Sequence, residues 1–254
     1  MEVELKGYVS RALPQGAPDT TESQVRSGRY DELYVQPLVR KQHLLADEGT
    51  YFTTNNGQTG IASSVGTAFS ATAGFINIYN TDTEGQTAKR LYLDYITLVT
   101  TAAGSFASAG VNLQIVMTLD TADRYSSGGT DISANIVNVN MHAPIRSSIA
   151  KVRCGALTLT AATGSARTVC GLRILRPVVS ATVADVVGET KTLNFGGVEM
   201  AYNGSITVAN ANQITMPMPP VIIGPQQSIN IHFLMNGTTP AAASYAPEIC
   251  WFER

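Results

Sequence analysis

From residue 75 onward, apolar and polar residues alternate one for one over much of the chain. In VNLQIVMTL (111–119), Val111, Leu113, Ile115, Met117 and Leu119 share one face, with Asn112, Gln114 and Thr118 opposite. In SINIHFLM (228–235), Ile229, Ile231, Phe233 and Met235 alternate with Ser228, Asn230 and His232. A period of two is the signature of a strand packed on one face. FINIYN (75–80), KRLYLDYITLV (89–99), ISANIVNV (132–139), AKVRCGALTLT (150–160), RTVCGLRILR (167–176) and PEICWFE (247–253) also read as strands. TKTLNF (190–195), SITVAN (205–210) and PVIIG (220–224) are weaker candidates. Gly, Asn, Asp, Pro and Ser separate nearly every pair. Only SATVADVVGET (180–190) approaches a helical period. The pattern predicts an all-β, jelly-roll-like β-sandwich over residues 51–254. The long connections 120–131 and 196–204 favour a jelly roll over a meander.

Residues 1–50 follow no such rule. They hold 14 of the chain's charged residues, which comprise 17 Lys and Arg and 19 Asp and Glu in 254 positions. Pro14, Gly16, Pro18, Gly28 and Pro37 prevent a long helix. A short helix is expected at 19–26, with Asp19 as cap and Glu22 three residues on. Leu33, Val35 and Leu38 mark a short extended piece suited to a groove or a sheet edge. The segment reads as an extended N-terminal arm that becomes ordered on assembly. Its apolar residues Tyr30, Leu33, Tyr34, Val35, Leu38, Leu44 and Leu45 have no local partner in the sequence pattern and are the candidate interface residues. Residues 50–74, rich in Thr, Ser, Gly and Ala, read as a transition with one or two weak strands.

Charged residues make up 14% of the chain, its net charge is −2 and its pI is about 5.9. Soluble proteins average roughly 25% charged residues, so polar uncharged residues or covering partners must keep this surface soluble. No basic stripe for nucleic acid is present, because Arg40 and Lys41 are soon followed by Asp47 and Glu48. No apolar run approaches a membrane span, and no signal peptide is visible, so folding in a cytoplasm is expected. Three cysteines do not make a disulfide framework. If 150–160 and 167–176 form a hairpin centred near residue 162, Cys154 and Cys170 face each other; two small buried thiols are expected there rather than a strained disulfide.

The chain carries no nucleophile elbow, zincin helix, C-x-x-C, phosphate loop or dinucleotide fingerprint. His43, His142 and His232 are scattered, and His232 is expected to be structural rather than part of a triad. Asp120, Asp123 and Asp131 surround a Gly-rich turn. They read as turn caps more readily than as Ca²⁺ ligands. Asn203-Gly204-Ser205 and Asn236-Gly237-Thr238 fit the glycosylation sequon but read as turns. Trp251 is expected in the core, with a sugar-stacking platform of Trp251, Phe252 and Tyr245 as the alternative. The acids of the β domain show no obvious glycosidase pair. An enzyme is not expected, nor any cofactor or resident metal.

GRYDELYVQPLVRKQHLLADEGTYFTTNN (28–56) is the most distinctive stretch of the chain. Its Gly28, Arg29, Tyr30, Pro37, Lys41, His43, Leu45, Ala46, Asp47, Glu48, Gly49, Tyr51 and Phe52 resemble the N-terminal region of virion structural proteins of tailed bacteriophages. Among these, the chain most resembles capsid decoration (cement) proteins, which have a jelly-roll body and a clamping arm. The resemblance implies a structural subunit of the virion, assembled in the bacterial host cytoplasm. Its partners would be the major capsid protein and copies of itself, a trimer being one such arrangement, with neither nucleic acid nor membrane bound. A fibre or adaptor subunit, or a carbohydrate-binding sandwich, is the alternative.

Overall fold

Alternating β-branched and polar residues pair into sheets wherever a second such run can cover their apolar face. The computed structural model describes residues 6–8, 22–24, 41–57, 59–64, 66–103, 112–141, 146–177, 186–197, 201–203, 213–235 and 243–254. The first described elements are β1 (Lys6–Tyr8) and β2 (Glu22–Gln24), an antiparallel pair. The helix expected at 19–26 is therefore replaced by extended backbone over 22–24. Next come α1 (Lys41–Asp47), β3 (Tyr51–Asn55), β4 (Ile61–Ala62), β5 (Ala73–Asn80), β6 (Leu91–Ala102), β7 (Asn112–Asp120) and β8 (Tyr125–Asp131). A 3-10 turn at Ser133–Asn135 leads to β9 (Val137–Asn138), β10 (Ala150–Leu159), β11 (Arg167–Pro177) and β12 (Thr190–Phe195). The chain then forms β13 (Ala201–Asn203), β14 (Gln213–Met218), β15 (Ile222–Ile223), β16 (Ser228–Met235) and β17 (Ser244–Glu253).

Two sheets pack face to face. The first runs β11-β7-β16-β5-β10-β8; the second runs β13-β14-β12-β6-β17-β3-β9, with β15 on β6 and β4 on β17. The late strand β16 inserts between β5 and β7, and the late strand β17 inserts between β6 and β3. That insertion makes the sandwich jelly-roll-like. It departs from a fully antiparallel roll where β12 pairs parallel with β14.

The core lies between the sheets. Ile76, Ile78, Ile115, Met117, Ile229 and Ile231 of the first sheet meet Leu91, Leu93, Ile96, Leu98, Leu193, Ile249 and Trp251 of the second. Phe75 stacks on Phe233 at 4.4 Å between ring centroids, and Tyr245 stands edge-on to both. Trp251 is fully buried, as expected of a core residue.

Several expectations are corrected. β10 and β11 do not form a hairpin, because β10 lies between β5 and β8 while β11 pairs with β7. Cys154 sits opposite Ile76 and Thr130, and Cys170 opposite Met117; all three cysteines are buried free thiols. Residues 132–139 are a 3-10 turn and the two-residue β9 rather than a full strand. The stretch YSSGGTD, read as loop, is β8. Its glycines let two backbones touch: at Gly129, with φ +67°, a Cβ would lie 2.6 Å from the Cys154 carbonyl oxygen. QITMPM, in which Ile214, Met216 and Met218 alternate with Gln213, Thr215 and Pro217, is β14, an element missing from the expected strands. β13 pairs only with Gln213–Thr215, so Pro217 lies past that pairing, where a strand tolerates proline.

The folded body begins before residue 51. α1 is capped by Gly49, whose φ of +66° suits the left-handed conformation, with Glu48 N and Gly49 N donating to the Leu44 and Ala46 carbonyls. Leu45 is 3% exposed and packs with Tyr51 and Cys250 on the outer face of the second sheet. Its assignment as an uncovered interface residue is therefore corrected: the sheet it caps is its partner. Leu44, the residue before it, remains 47% exposed. Tyr30, Leu33, Tyr34, Val35 and Leu38 lie outside the described residues, as do the strand expected at 205–210 and residues 180–185 of the helical stretch; Val186 to Thr190 form a turn leading into β12.

Candidate interaction surfaces

The outer face of the first sheet is polar, and its centre is buried. Strand registers align one row across all six strands: Asp131, Arg153, Asn77, Asn230, Thr118 and Thr168. Arg153 Nη1 donates to Asn77 Oδ1 at 3.0 Å, and Asn77 Nδ2 donates to Asn230 Oδ1 at 2.9 Å. Asp123, in the loop after β7, lies 3.0 Å from the same guanidinium, and the Tyr125 ring centroid is 4.1 Å from it. Buried polar groups of this kind are satisfied mutually, because each unpaired one would cost more than its bond returns.

The three carboxylates of the Gly-rich turn do not converge. Asp120 accepts from Thr121 N and Thr163 N and lies 3.6 Å from Arg124. Asp123 accepts from Tyr125 N, and Asp131 from Ser133 N. They act as turn caps and arginine partners. His232 is buried on this face. Its Nδ1–H donates to the Ala73 carbonyl at 2.7 Å, which leaves Nε2 to accept from the Thr118 hydroxyl at 3.0 Å. Phe69 packs edge-on against the ring. Burial pushes the imidazole pKa down, the Ala73 carbonyl opposes this, and the Arg124 charge adds to it. Both ring nitrogens are engaged in structural bonds, neither of them to a carboxylate.

The outer face of the second sheet carries a groove alongside α1. One part, about 450 Å³, is lined by Gln42, His43, Tyr51, Asp94, Tyr95 and Asn194. It continues past the start of the helix between Tyr92, Phe252, Gly196, Pro220 and Ile222. Tyr51 donates to Asp94 Oδ2 at 2.6 Å and Tyr95 to Glu248 Oε1 at 2.8 Å. Burial first, and these hydrogen bonds after it, raise both phenol pKa values well above the ordinary range, so both remain donors at any physiological pH. The groove can position polar and apolar groups of a chain. The planes of Tyr92 and Phe252 lie at 3° with centroids 4.7 Å apart, so the rings cover each other's inner faces. Tyr245 and Trp251 are buried inside, so the sugar platform weighed from the sequence is not assembled.

The third surface is the β9 edge of the second sheet. Val137 is 52% exposed, Val139 42% and Met141 93%. The intervening asparagines face inward to the body: Asn138 Nδ2 donates to the Gly49 carbonyl at 2.7 Å and Asn140 Nδ2 to the Asp47 carbonyl at 3.2 Å. The sequence reading placed Val137 and Val139 in an ordinary strand and missed the edge. The inward anchoring by asparagine is the signal that could have revealed it.

Fold and surfaces together define an all-β, two-sheet, jelly-roll-like sandwich. No model of a known protein family, no functionally characterised protein and no solved structure matches the chain.

Proposed function

We propose that the protein is a non-enzymatic structural subunit of a tailed-phage virion: a decoration or cement protein that ties the major capsid protein to copies of itself. The observation that carries this reading is the β9 edge. A free-standing domain blunts its sheet edges with charge, proline or a cover. Here three apolar side chains line an edge held in register from behind. Apolar stripes of this kind serve assembly. The N-terminal arm, with its resemblance to phage virion proteins, supplies a second grip.

The test is attachment to phage heads lacking the protein, followed by electron microscopy. Full-length protein is expected to decorate the shell. Val139→Lys combined with Met141→Lys is expected to lose attachment with unchanged circular dichroism. Binding at the tail instead would indicate an adaptor or fibre role. Undiminished shell attachment by the double variant would remove the edge from the interface.

A further inference from the structure

The groove beside α1 extends past the start of the helix. Gln42, in the first turn of the helix, lines both parts of the groove, and the part beyond the helix start is bounded by Tyr92, Phe252, Pro220 and Ile222. Ile222 is 46% exposed. α1 starts at Lys41, so the residues that precede it in sequence are tethered beside this part of the groove.

Those residues read Leu33-Tyr34-Val35-Gln36-Pro37-Leu38-Val39-Arg40. In an extended chain Leu33, Val35, Pro37 and Val39 fall on one face, and Tyr34, Gln36, Leu38 and Arg40 on the other. The first face is wholly apolar. Pro37 disfavours helix and suits the extended form that aromatic-lined grooves recognise. Seven extended residues span about 23 Å, enough to cross four or five strands at about 4.8 Å each.

We propose that residues 33–39 of the same chain occupy this groove, with Leu33, Val35 and Val39 against Ile222 and the Tyr92–Phe252 pair. The tether at Lys41 sets the segment's effective concentration at the groove on the order of millimolar or above. A second copy's segment must compete against that advantage. Tyr34 and Leu38 then face outward as part of the surface offered to a neighbour. That last point rests on the virion reading; the docking itself does not.

The test uses the isolated full-length protein. Leu33→Cys, Val35→Cys or Val39→Cys is combined with Ile222→Cys and oxidised mildly, with the wild type, whose three thiols are buried, as control. A cross-link within one chain is expected for at least one pair. Backbone amides of 33–39 are expected to exchange at least about tenfold more slowly than in an Ile222→Glu variant of matching circular dichroism. Disulfide-linked dimers in place of cross-linked monomers would assign the segment to a second copy and overturn the proposal. Where no pair cross-links, amide exchange decides: slowed amides that Ile222→Glu releases sustain it, and equal exchange in both proteins overturns it. Failure of the virion reading is seen separately, as lost attachment to phage heads with the amide protection intact.

Discussion

Lys191 and Glu189, which flank the first residue of β12, form a 3.0 Å ion pair with both side chains wholly buried. Lys191 Nζ also lies 3.2 Å from Thr100 Oγ1 and 5.3 Å from the centroid of Tyr245. Taking one charge from such a pair leaves the other buried without its counter-ion. Lys191→Met is expected to destabilise by about 3–5 kcal/mol, whereas Lys191→Met with Glu189→Leu recovers most of the loss. Urea unfolding of both variants measures the difference, and equal losses would contradict it.

Leu45 sets how much of the N-terminus can be removed. Deleting residues 1–40 keeps α1 and is expected to leave the sandwich folded, forfeiting only what residues 33–39 contribute in the groove. Deleting 1–48 uncovers Tyr51 and Cys250 and forfeits the burial of Leu45, about 1.5–3 kcal/mol. Parallel calorimetry on the two truncations checks this; indistinguishable melting would mean that α1 contributes nothing to the body.

His232 gives stability a pH dependence. Its folded pKa is depressed by burial, so the unfolded chain takes up a proton that the folded ring refuses. The contribution is complete above the unfolded value near 6.5 and is lost as pH falls through the folded one. Denaturation midpoints are expected to drop from about pH 7.5 to about pH 5, and to drop less in His232→Gln. Identical slopes in the two proteins would assign the acid sensitivity elsewhere.

Gly129→Ala tests the contact between β8 and β10. The new methyl group would meet the Cys154 carbonyl oxygen at 2.6 Å on a backbone with φ +67°. A loss of about 1–3 kcal/mol is expected. Gly164→Ala, where no atom lies within 4 Å of the new methyl group, serves as the control.

Alternation revealed the strands that bury one face: β5, β6, β7, β10, β11, β16 and β17 all stand where the period of two placed them. It could not reveal that Asn77, Asn230 and His232 are as buried as their apolar neighbours, because a polar face looks the same in sequence whether water or a loop covers it. Gly128 and Gly129 hid β8, since a strand held by close backbone approach needs no side-chain pattern. Leu45 was read as uncovered because its partners, Tyr51 and Cys250, lie 6 and 205 positions away. The groove brings together residues as distant as Gln42 and Phe252, a proximity no local pattern encodes.

The two asparagines behind β9 also shape how the protein bears load. Asn138 holds the carbonyl of Gly49, in the turn between α1 and β3, and Asn140 that of Asp47, the last residue of α1. β3 is itself bonded to β17 on one side and β9 on the other. A pull applied at Lys41 passes through α1, whose Leu45 rests on Tyr51 and Cys250, and through this turn into β3. A pull directed along β3 loads its hydrogen bonds in shear, so the rungs resist together instead of unzipping one at a time. β9 and the turn after α1 thus form one mechanical joint, and strain at either is carried through β3 to β17 in the middle of the second sheet.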